Sequence, residues 1–119
     1  MENENRKYIL VRTDGTYSIV EFLNNDFIKE VRELLSISLV ERLHLIENEY
    51  LFFTPLKSNG ARLNFYASQM NQILHKGNSI YGDVIIGCCD DEVFMGLSQD
   101  QINRYVCRLE INGYENKCS

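Results

Sequence analysis

The first hydrophobic positions of the chain form two short runs that are rich in aromatic and β-branched residues, which is typical of β-strands. The runs span residues 8–11 and 17–22. Asp14 and Gly15 separate them, and glycine adopts the positive φ of a tight turn freely while aspartate tolerates it. The pattern therefore predicts a β-hairpin over residues 7–22.

Apolar residues then recur at the spacing of one helical face. The side chains on this face are Phe27, Val31, Leu34 and Leu35. Asn24, Asn25 and Asp26 precede them, and their side-chain oxygens can accept hydrogen bonds from the first N–H groups of a helix. We therefore expect a helix that begins after these residues and ends at Ser36.

Two further strands are predicted on either side of a polar turn at residues 47–49. Leucine and polar side chains alternate over residues 37–46, although Glu41 interrupts the apolar set. Residues 50–54 return as a second strand. Pro55 ends this strand, because proline has no N–H to donate to a neighbouring strand.

A second helical period begins near Arg62. Its apolar side chains are Leu63, Tyr66, Ala67, Met70, Ile73 and Leu74. Gly77 stands where a glycine commonly ends a helix. Residues 84–86 then form a continuous apolar run that is typical of a central strand, and residues 93–95 form one more short apolar run.

The last predicted helix begins at Ser98. Ser98 and Gln101 have the spacing of a capping box, in which each residue satisfies a backbone N–H of the other. The apolar stripe of this helix is formed by Ile102, Tyr105, Val106 and Leu109. Residues 112–119 have no periodic pattern, so we expect a loose tail.

The order of the predicted elements is ββαββαβ(β)α, which indicates an α+β fold with three helices packed on one mixed or antiparallel sheet of about five or six strands. A chain of 119 residues, of which 45% are hydrophobic, is sufficient for one domain with one core. We expect that core to span residues 7–110, between polar tails at 1–5 and 112–119.

Short motifs in these elements resemble a family of small domains of unknown function carried by Gram-positive phages, plasmids and conjugative elements. Asn64 and Ala67 match its L-x-x-N-x-x-A segment, and Gly82-Asp83 with Gly87 resemble its GD[VI]-x-I-x-G strand. The resemblance covers roughly residues 8–109. The chain departs from the family at Ile37-Ser38, where the family usually has glycines, and in a longer stretch between residues 55 and 82. The resemblance implies a mobile-element origin and an accessory or anti-defence role.

The charge of the chain argues against direct binding of nucleic acid. The formal net charge is −5, and the basic residues are dispersed rather than clustered against phosphates. No apolar run approaches the ~20 residues of a membrane helix. The polar, acidic start does not resemble a signal peptide, so we expect a cytoplasmic protein with reduced thiols.

The segment 77–103 contains carboxylates but neither lysine nor arginine. Its acidic residues are Asp83, Asp90, Asp91, Glu92 and Asp100. Three interpretations stay open: ordinary turn chemistry, a face that binds a basic protein, or a Mg²⁺ or Ca²⁺ site. A face of this kind could occupy the phosphate-binding groove of a nuclease or DNA-binding protein.

The cysteines and histidines could act in catalysis, but they do not form a recognisable catalytic or metal-binding motif. Cys88 and Cys89 are adjacent, so on a strand they point to opposite faces and cannot form a two-thiolate clamp. Neither they nor the other two cysteines have the spacing of a zinc site. His44 and His75 are the only histidines, and no nucleophile elbow accompanies them. We therefore predict that the protein is not an enzyme and has no cofactor.

The sequence favours a non-enzymatic inhibitor or anti-defence module that contacts a host or defence-system protein through its acidic segment. The first alternative is a domain that binds a small ligand such as a nucleotide, with Asn64, Tyr81 and Asp83 near a pocket. The second is a metal-dependent enzyme that uses Asp83 with the acidic residues 90–92.

Phe65 falls off the apolar stripe of its helix, so we expect it to be exposed and to contact a partner or a second subunit. The strand 50–54 carries aromatic side chains on both faces, and one of these faces could need cover from another molecule. A homodimer is therefore predicted, with a monomer whose helices cover both sheet faces as the alternative.

Overall fold

The computed structural model describes residues 6–22, 26–57 and 59–117. The predicted tail 1–5, the possible capping residues Asn24 and Asn25, and Cys118 lie outside the described residues. The elements in chain order are β1 (Lys7–Val11), β2 (Thr16–Glu21), α1 (Phe27–Leu35), β3 (Glu41–Ile46), β4 (Glu49–Phe53), α2 (Phe65–His75), β5 (Val84–Asp90), β6 (Val93–Met95), α3 (Gln99–Ile111) and β7 (Glu115–Asn116).

All strands belong to one mixed sheet, which confirms the predicted α+β class. The strand order is β3-β4-β5-β1-β2-β7, and only β2 and β7 pair in parallel. β5 is long enough to pair with β1 through its first half and with β6 through its second half. The described residues thus contain seven strands rather than the five or six expected.

Helices cover both faces of the sheet. On one face, Phe27 and Val31 of α1 pack on side chains such as Phe52 of β4. On the other face, α2 and α3 pack on side chains such as Leu51 of the same strand. Leu51 and Phe52 are both buried, because neighbouring residues on a strand point to opposite faces. Helices of the chain itself therefore cover both faces of this strand, as in the alternative that needs no second molecule.

Residues at the predicted positions cap the first and third helices. Asp26 accepts a hydrogen bond from the Lys29 N–H at 3.1 Å, and Ser36 ends α1 in the left-handed conformation with φ 55°. The predicted capping box of α3 is confirmed, since Ser98 and Gln101 each accept a hydrogen bond from the other's backbone N–H. No helix of the described residues is both long and apolar enough to cross a membrane.

The second helix has different bounds from those predicted. It begins at Phe65 instead of Arg62, because the side chain of Asn64 accepts a hydrogen bond from the Ala67 N–H and acts as the N-cap. Lys76, with φ 52°, is the left-handed residue at its C-terminus, whereas Gly77 was expected there. A Cβ on Gly77 would lie 2.4 Å from the Asn71 amide nitrogen, so the Asn71 side chain would have to move to admit any other residue there.

Two other segments differ from those that the pattern predicts. The third strand begins at Glu41, and residues 37–40 precede it without strand pairing. Residues 112–117 are not a loose tail, since Tyr114 is buried and Glu115–Asn116 pair with β2. The Tyr114 hydroxyl also accepts a hydrogen bond from the Tyr66 N–H at 3.1 Å, which ties this segment to α2.

Candidate functional site

Four of the predicted carboxylates meet a fifth at one end of the sheet. The Cys89 N–H donates to the Asn48 carbonyl at 2.9 Å, so the β3–β4 and β5–β6 turns lie side by side. The first turn of α3 joins them, because the Gln101 side chain reaches Glu49 at the start of β4. We call this region the acidic end. Its exposed carboxylates are Glu47, Asp90, Asp91, Glu92 and Asp100.

The conformation of the β5–β6 turn explains why one of these residues is an aspartate. Asp91 has φ 58°, a left-handed conformation in which aspartate is enriched over most other residues. The turn that it forms joins Asp90 to Val93, which are paired across β5 and β6. Asp90 and Glu92 have no such conformational reason, so turn chemistry explains the acidity of this segment only in part.

Arg42 of β3 reaches the β5–β6 turn from the edge of the sheet. Its guanidinium donates to the Cys89 sulfur at 2.8 Å and to the Asp91 carbonyl at 3.4 Å. It also lies over the Tyr50 ring, 5.2 Å from the ring centre. These contacts hold the cation against the turn, where it partly offsets the charge of the acidic end.

A cavity of about 330 Å³ lies beside this turn on the α1 face of the sheet. We call it the aromatic pocket. Its lining residues are Ile28, Val40, Glu41, Arg42, Phe52, Glu92 and Phe94. Phe52 and Phe94 meet edge to face with ring centres 5.8 Å apart, and Phe27 stacks on Phe94 at 4.9 Å. Aromatic packing therefore fixes the floor of this cavity.

A second cavity of about 240 Å³ lies on the opposite face, between β3 and α2. His75 contributes to its wall, and a ring nitrogen of His75 lies 2.8 Å from the His44 carbonyl oxygen. The His44 ring is in turn bonded to the Glu47 carbonyl at 2.7 Å. Both histidines are thus bonded to backbone oxygens near the edge strand.

Behind the acidic end, the carboxylate of Glu49 is buried and accepts several hydrogen bonds. Arg104 donates to both of its oxygens, at 2.8 and 3.3 Å. The Tyr105 hydroxyl donates at 2.5 Å and the Gln101 amide at 2.8 Å. Because these donors come from three positions of α3, the carboxylate fixes that helix against the start of β4.

Hydrogen bonding decides the ionisation of this carboxylate. Burial alone would raise the pKa of Glu49, but the donors on Arg104, Tyr105 and Gln101 outweigh burial and lower it below the usual value. The same burial, with the hydrogen bond to Glu49, raises the pKa of Tyr105. Glu49 is therefore an ionised acceptor with occupied oxygens, which suits a structural role better than proton transfer.

The two adjacent cysteines lie in separate cores, as their positions on one strand predict. Burial raises the pKa of Cys88 to about 11, with a further contribution from the nearby charge of Glu49. Burial also raises the pKa of Cys89, although Arg42 acts in the opposite direction. Both therefore stay protonated thiols near neutral pH, a poor state for nucleophilic attack or metal binding.

Asp83 does not belong to the acidic end. It precedes the seven residues of β5 while Asp90 ends that strand, so the two lie about 23 Å apart at ~3.3 Å per residue. The Asp83 carboxylate instead accepts a hydrogen bond from the Thr13 N–H at 3.0 Å and fixes the β1–β2 turn. The set of metal ligands that combined Asp83 with residues 90–92 is thus divided between two ends of the molecule.

The residues predicted to bind a small ligand lie near Asp83 at that opposite end. The Asn64 amide donates to the carbonyls of Val11 and Gly82, at 3.1 and 2.9 Å. With its N-cap bond, the buried Asn64 therefore has backbone partners on both sides. Tyr81 is half-buried beneath Lys57, whose ammonium nitrogen is 4.3 Å from the ring centre. The three residues predicted to bind a ligand are thus already in contact with other groups of the same chain.

Phe65 is exposed, as predicted, with 59% of its surface accessible. It begins α2 directly after Asn64, so it lies at the end of the sheet away from the acidic end. Ile73, further along the same helix, is 66% exposed. The structure therefore separates Phe65 from the carboxylates that were grouped with it as one partner-binding set.

Sequence reasoning missed Glu49 and Arg42, the two charged residues with the most side-chain partners near the acidic end. Glu49 was assigned to a turn, but the two-residue period of a strand places it on the face of Leu51. Arg104 and Tyr105 follow Gln101 at i+3 and i+4, the spacing of one helical face. The sequence shows that these three residues share a helical face, but it does not connect that face with Glu49.

Within the described residues, no group of three or more histidine, cysteine, aspartate or glutamate side chains could hold a metal ion. Comparison of the chain with protein-family models, with curated proteins and with solved structures gives no match. The resemblance to the mobile-element family therefore stays a prediction, and the case for a function depends on the geometry of the chain.

Proposed function

We propose that the protein is a non-enzymatic binding module that acts by protein–protein contact, with the acidic end as the surface that meets a basic partner. The observation that carries this proposal is the convergence of exposed carboxylates from three separate segments. Glu47, Asp90 and Asp100 lie on the β3–β4 turn, at the end of β5 and on the first turn of α3.

The local balance of charge supports a basic partner. Arg42 and Arg104 reach this region, and both are engaged, with Cys89 and the Asp91 carbonyl and with Glu49 respectively. Lys7 also lies at this end, since its carbonyl accepts a hydrogen bond from the Leu97 N–H just before α3. The exposed carboxylates are therefore available to another molecule. A patch of one sign steers association with an oppositely charged surface and suppresses binding of like-charged ones.

The state of the reactive groups supports a binding role over catalysis. The oxygens of Glu49 already accept hydrogen bonds from α3, and the buried cysteines remain thiols near neutral pH. A general acid or base needs a pKa near the working pH and a proton within reach of the substrate. Neither Glu49 nor Cys88 meets both conditions.

The partner that this surface fits is a basic, nucleic-acid-binding protein of a host or its defence systems. Its phosphate-binding groove presents clustered lysine and arginine, which the carboxylates could occupy in place of phosphates. Such a role belongs in the cytoplasm of the host cell and is consistent with an accessory or anti-defence protein of a phage or mobile element.

Affinity capture from host lysate, at moderate salt, tests the proposal with two variants of equal charge change. Asp90→Asn with Asp100→Asn neutralises two carboxylates of the acidic end. Glu33→Gln with Glu115→Gln neutralises two exposed carboxylates elsewhere. We expect a basic nucleic-acid-binding protein to be captured by the wild type and by the second variant, to be lost with the first, and to be displaced by duplex DNA. Equal capture by all three proteins, or no capture, would contradict the proposal.

A further inference from the structure

The backbone of β3 is open on one side, because this strand stands first in the order of the sheet and is followed by β4. Successive residues of an antiparallel strand direct their N–H and C=O groups alternately to the two sides. The Cys89 N–H donates to the Asn48 carbonyl, so the even-numbered residues of β4 are bonded toward β5 and the odd-numbered residues toward β3. Leu51 is therefore bonded to Leu43, its partner on β3. The residues on either side of Leu43 must then direct their backbone groups away from the sheet.

Those two residues are Arg42 and His44. The His44 carbonyl agrees with this direction, since the ring of His75 on α2, and not a strand, lies 2.8 Å from it. Among the described residues, the N–H groups of Arg42 and His44 and the carbonyl of Arg42 have no partner. A bulge between His44 and Ile46 ends the row. Residues 40–44, which we call the open edge, therefore present the free donors and acceptor that a further β-strand would pair with.

The two cavities of the structure border this open edge, one on each face of the sheet. The aromatic pocket has Val40 and Arg42 in its lining, on the α1 face. The second cavity has Leu43 and His75 in its lining, on the α2 face. Residues paired across two strands point to the same face. A residue added opposite Arg42 would thus direct its side chain toward the aromatic pocket, and the next residue, opposite Leu43, toward the second cavity.

The linings favour apolar side chains on such a strand. In the aromatic pocket, Glu92 and Arg42 contribute one charge of each sign, and the remaining side chains are apolar. Glu41 contributes no charge on that face, because it is paired with Phe53 and shares the opposite one. The second cavity combines two apolar side chains with an amide and an imidazole; these residues are Leu43, Phe53, Asn71 and His75. Their volumes of about 330 and 240 Å³ suit one side chain each.

A second copy of the chain fits the open edge poorly. Two-fold pairing of β3 with itself would place Arg42 and His44 opposite the same two residues of the other copy, where like charges are unfavourable. The side chains that the copy would bring are also in use already. Leu43 is buried in its own core, Arg42 holds the β5–β6 turn, and the His44 ring is bonded to the Glu47 carbonyl. The occupant that fits is therefore an extended segment of another protein.

We propose that the open edge binds an extended segment of a protein partner as an additional β-strand. Two consecutive apolar side chains of that segment would enter the aromatic pocket and the second cavity, while its backbone would pair with Arg42 and His44. In this mode of recognition the main-chain hydrogen bonds supply affinity, and pockets for alternate side chains supply specificity. The carboxylates of the acidic end take no part in it, so this inference goes beyond the proposed function.

A panel of capped hexapeptides, titrated into the isotope-labelled full chain and followed by NMR, tests the proposal. Each peptide has two adjacent residues drawn from valine, leucine and phenylalanine between pairs of threonines. We expect saturable binding with shifts at residues 40–44 and slowed hydrogen exchange at the N–H groups of Arg42 and His44. The Leu43 N–H, already bonded to β4, is the internal reference and should change little. No saturable binding by any peptide, or shifts elsewhere on the surface, would overturn the proposal.

Two changes to the peptide that binds most tightly separate the contribution of its backbone from that of its side chains. Methylation of the backbone nitrogens of the two apolar residues removes their donors and should weaken binding about tenfold. Serine in place of the same two residues keeps the backbone but leaves both cavities unfilled, and it should weaken binding by about tenfold as well. Undiminished binding of the methylated peptide would show that no strand is added to β3.

A matched pair of variants tests the protein side of the same contact. His44→Pro and His44→Ala both remove the imidazole, but only proline removes the outward N–H, and an edge strand tolerates proline at such a position. His44→Ala should bind the peptide within about twofold of the wild type, and His44→Pro about tenfold more weakly. Circular dichroism and urea unfolding establish that the proline variant is folded, and the methylated peptide decides if it is not. Equal affinity of the two folded variants contradicts an added strand.

The acidic end provides the last control. Asp90→Asn with Asp100→Asn changes neither cavity lining and should bind the peptide within about twofold of the wild type. A large loss of peptide binding in this variant would assign the binding to the acidic end and overturn the proposal. Peptide binding to the open edge, with no basic partner captured from lysate, would support the added strand and count against the proposed function.

Discussion

At the scale of single residues, the buried carboxylate of Glu49 joins the two halves of the chain. Its donors lie more than fifty positions away on α3, and they contact it at 2.5 to 3.3 Å. A buried ion pair contributes little to stability by itself, because desolvation of both charges opposes their attraction. Removing one member of the pair is costly, since the other is then left without its partner.

Glu49→Gln is therefore expected to destabilise the fold. The substitution keeps the shape of the side chain but removes its charge from Arg104. We expect a loss of about 2 kcal/mol, less than the ~3–5 kcal/mol for a fully buried pair, because Arg104 is partly exposed and can return to water. Urea unfolding measures this loss. Glu47→Gln, an exposed neighbour, should change the stability by less than ~0.5 kcal/mol.

The lowered pKa of Glu49 also predicts a pH dependence. A carboxyl with a lower pKa in the folded than in the unfolded chain stabilises the fold above its unfolded pKa, near 4.5. That contribution is lost as the pH falls through the folded pKa. The difference in unfolding free energy between the wild type and Glu49→Gln should therefore shrink from pH 7 to pH 3. A difference that stays constant over this range would mean that Glu49 is not the titrating group.

At the scale of elements, Asn64 makes the start of α2 dependent on two strands. Its side chain caps the helix and donates to the carbonyls of Val11, the last residue of β1, and of Gly82, which precedes β5. From the sequence Asn64 looks like an ordinary helix cap, but in the structure the residue is fully buried. The buried Asn64 therefore both caps α2 and holds the start of that helix against the sheet.

Asn64→Ala should destabilise the protein by about 2 kcal/mol, since it removes a cap and leaves two buried carbonyls without this donor. Thermal and urea unfolding provide the measurement. Gln72→Ala, at an exposed position of the same helix, is the control and should be nearly neutral. If the two variants were equally stable, the Asn64 side chain would contribute to the fold neither as a cap nor through its bonds to the strands.

Elements with a repeated apolar pattern could be predicted from the sequence, whereas those formed by single distant contacts could not. The hairpin, α1 and the capping box of α3 each have a local signal over several residues, and each is confirmed. β7 has only two residues, too few for any period, and it forms because Tyr114 is buried under α2. Glu49 and Arg104 were missed for the same reason, since no local pattern connects residues 55 positions apart.

At the scale of the whole molecule, the sheet has two chemically different ends. The acidic end presents exposed carboxylates, while the other end holds Asp83, Asn64 and Tyr81 in contacts of the chain itself. Helices on both faces leave the ends and the edge strands β3 and β7 as accessible parts of the sheet. A partner of this protein is therefore expected at an end or an edge.

Formation of a homodimer stays a prediction, but different residues now support it. The covered faces of β4 no longer argue for a second copy, while the exposed Phe65 and Ile73 on α2 still do. A dimer through this helix should give a mass above 13.9 kDa in sedimentation equilibrium at high micromolar concentration, and Phe65→Glu should abolish it. A mass of 13.9 kDa at every concentration would identify a monomer.

The most direct test of the central claim is the affinity of the captured partner for the wild type and for the two charge-matched variants, measured at moderate salt. Two exposed ion pairs of about 0.7 kcal/mol each correspond to a loss of about tenfold for Asp90→Asn with Asp100→Asn. The Glu33→Gln and Glu115→Gln protein should stay within twofold of the wild type. Equal weakening by both variants would mean that net charge alone governs binding, which contradicts a binding surface at the acidic end.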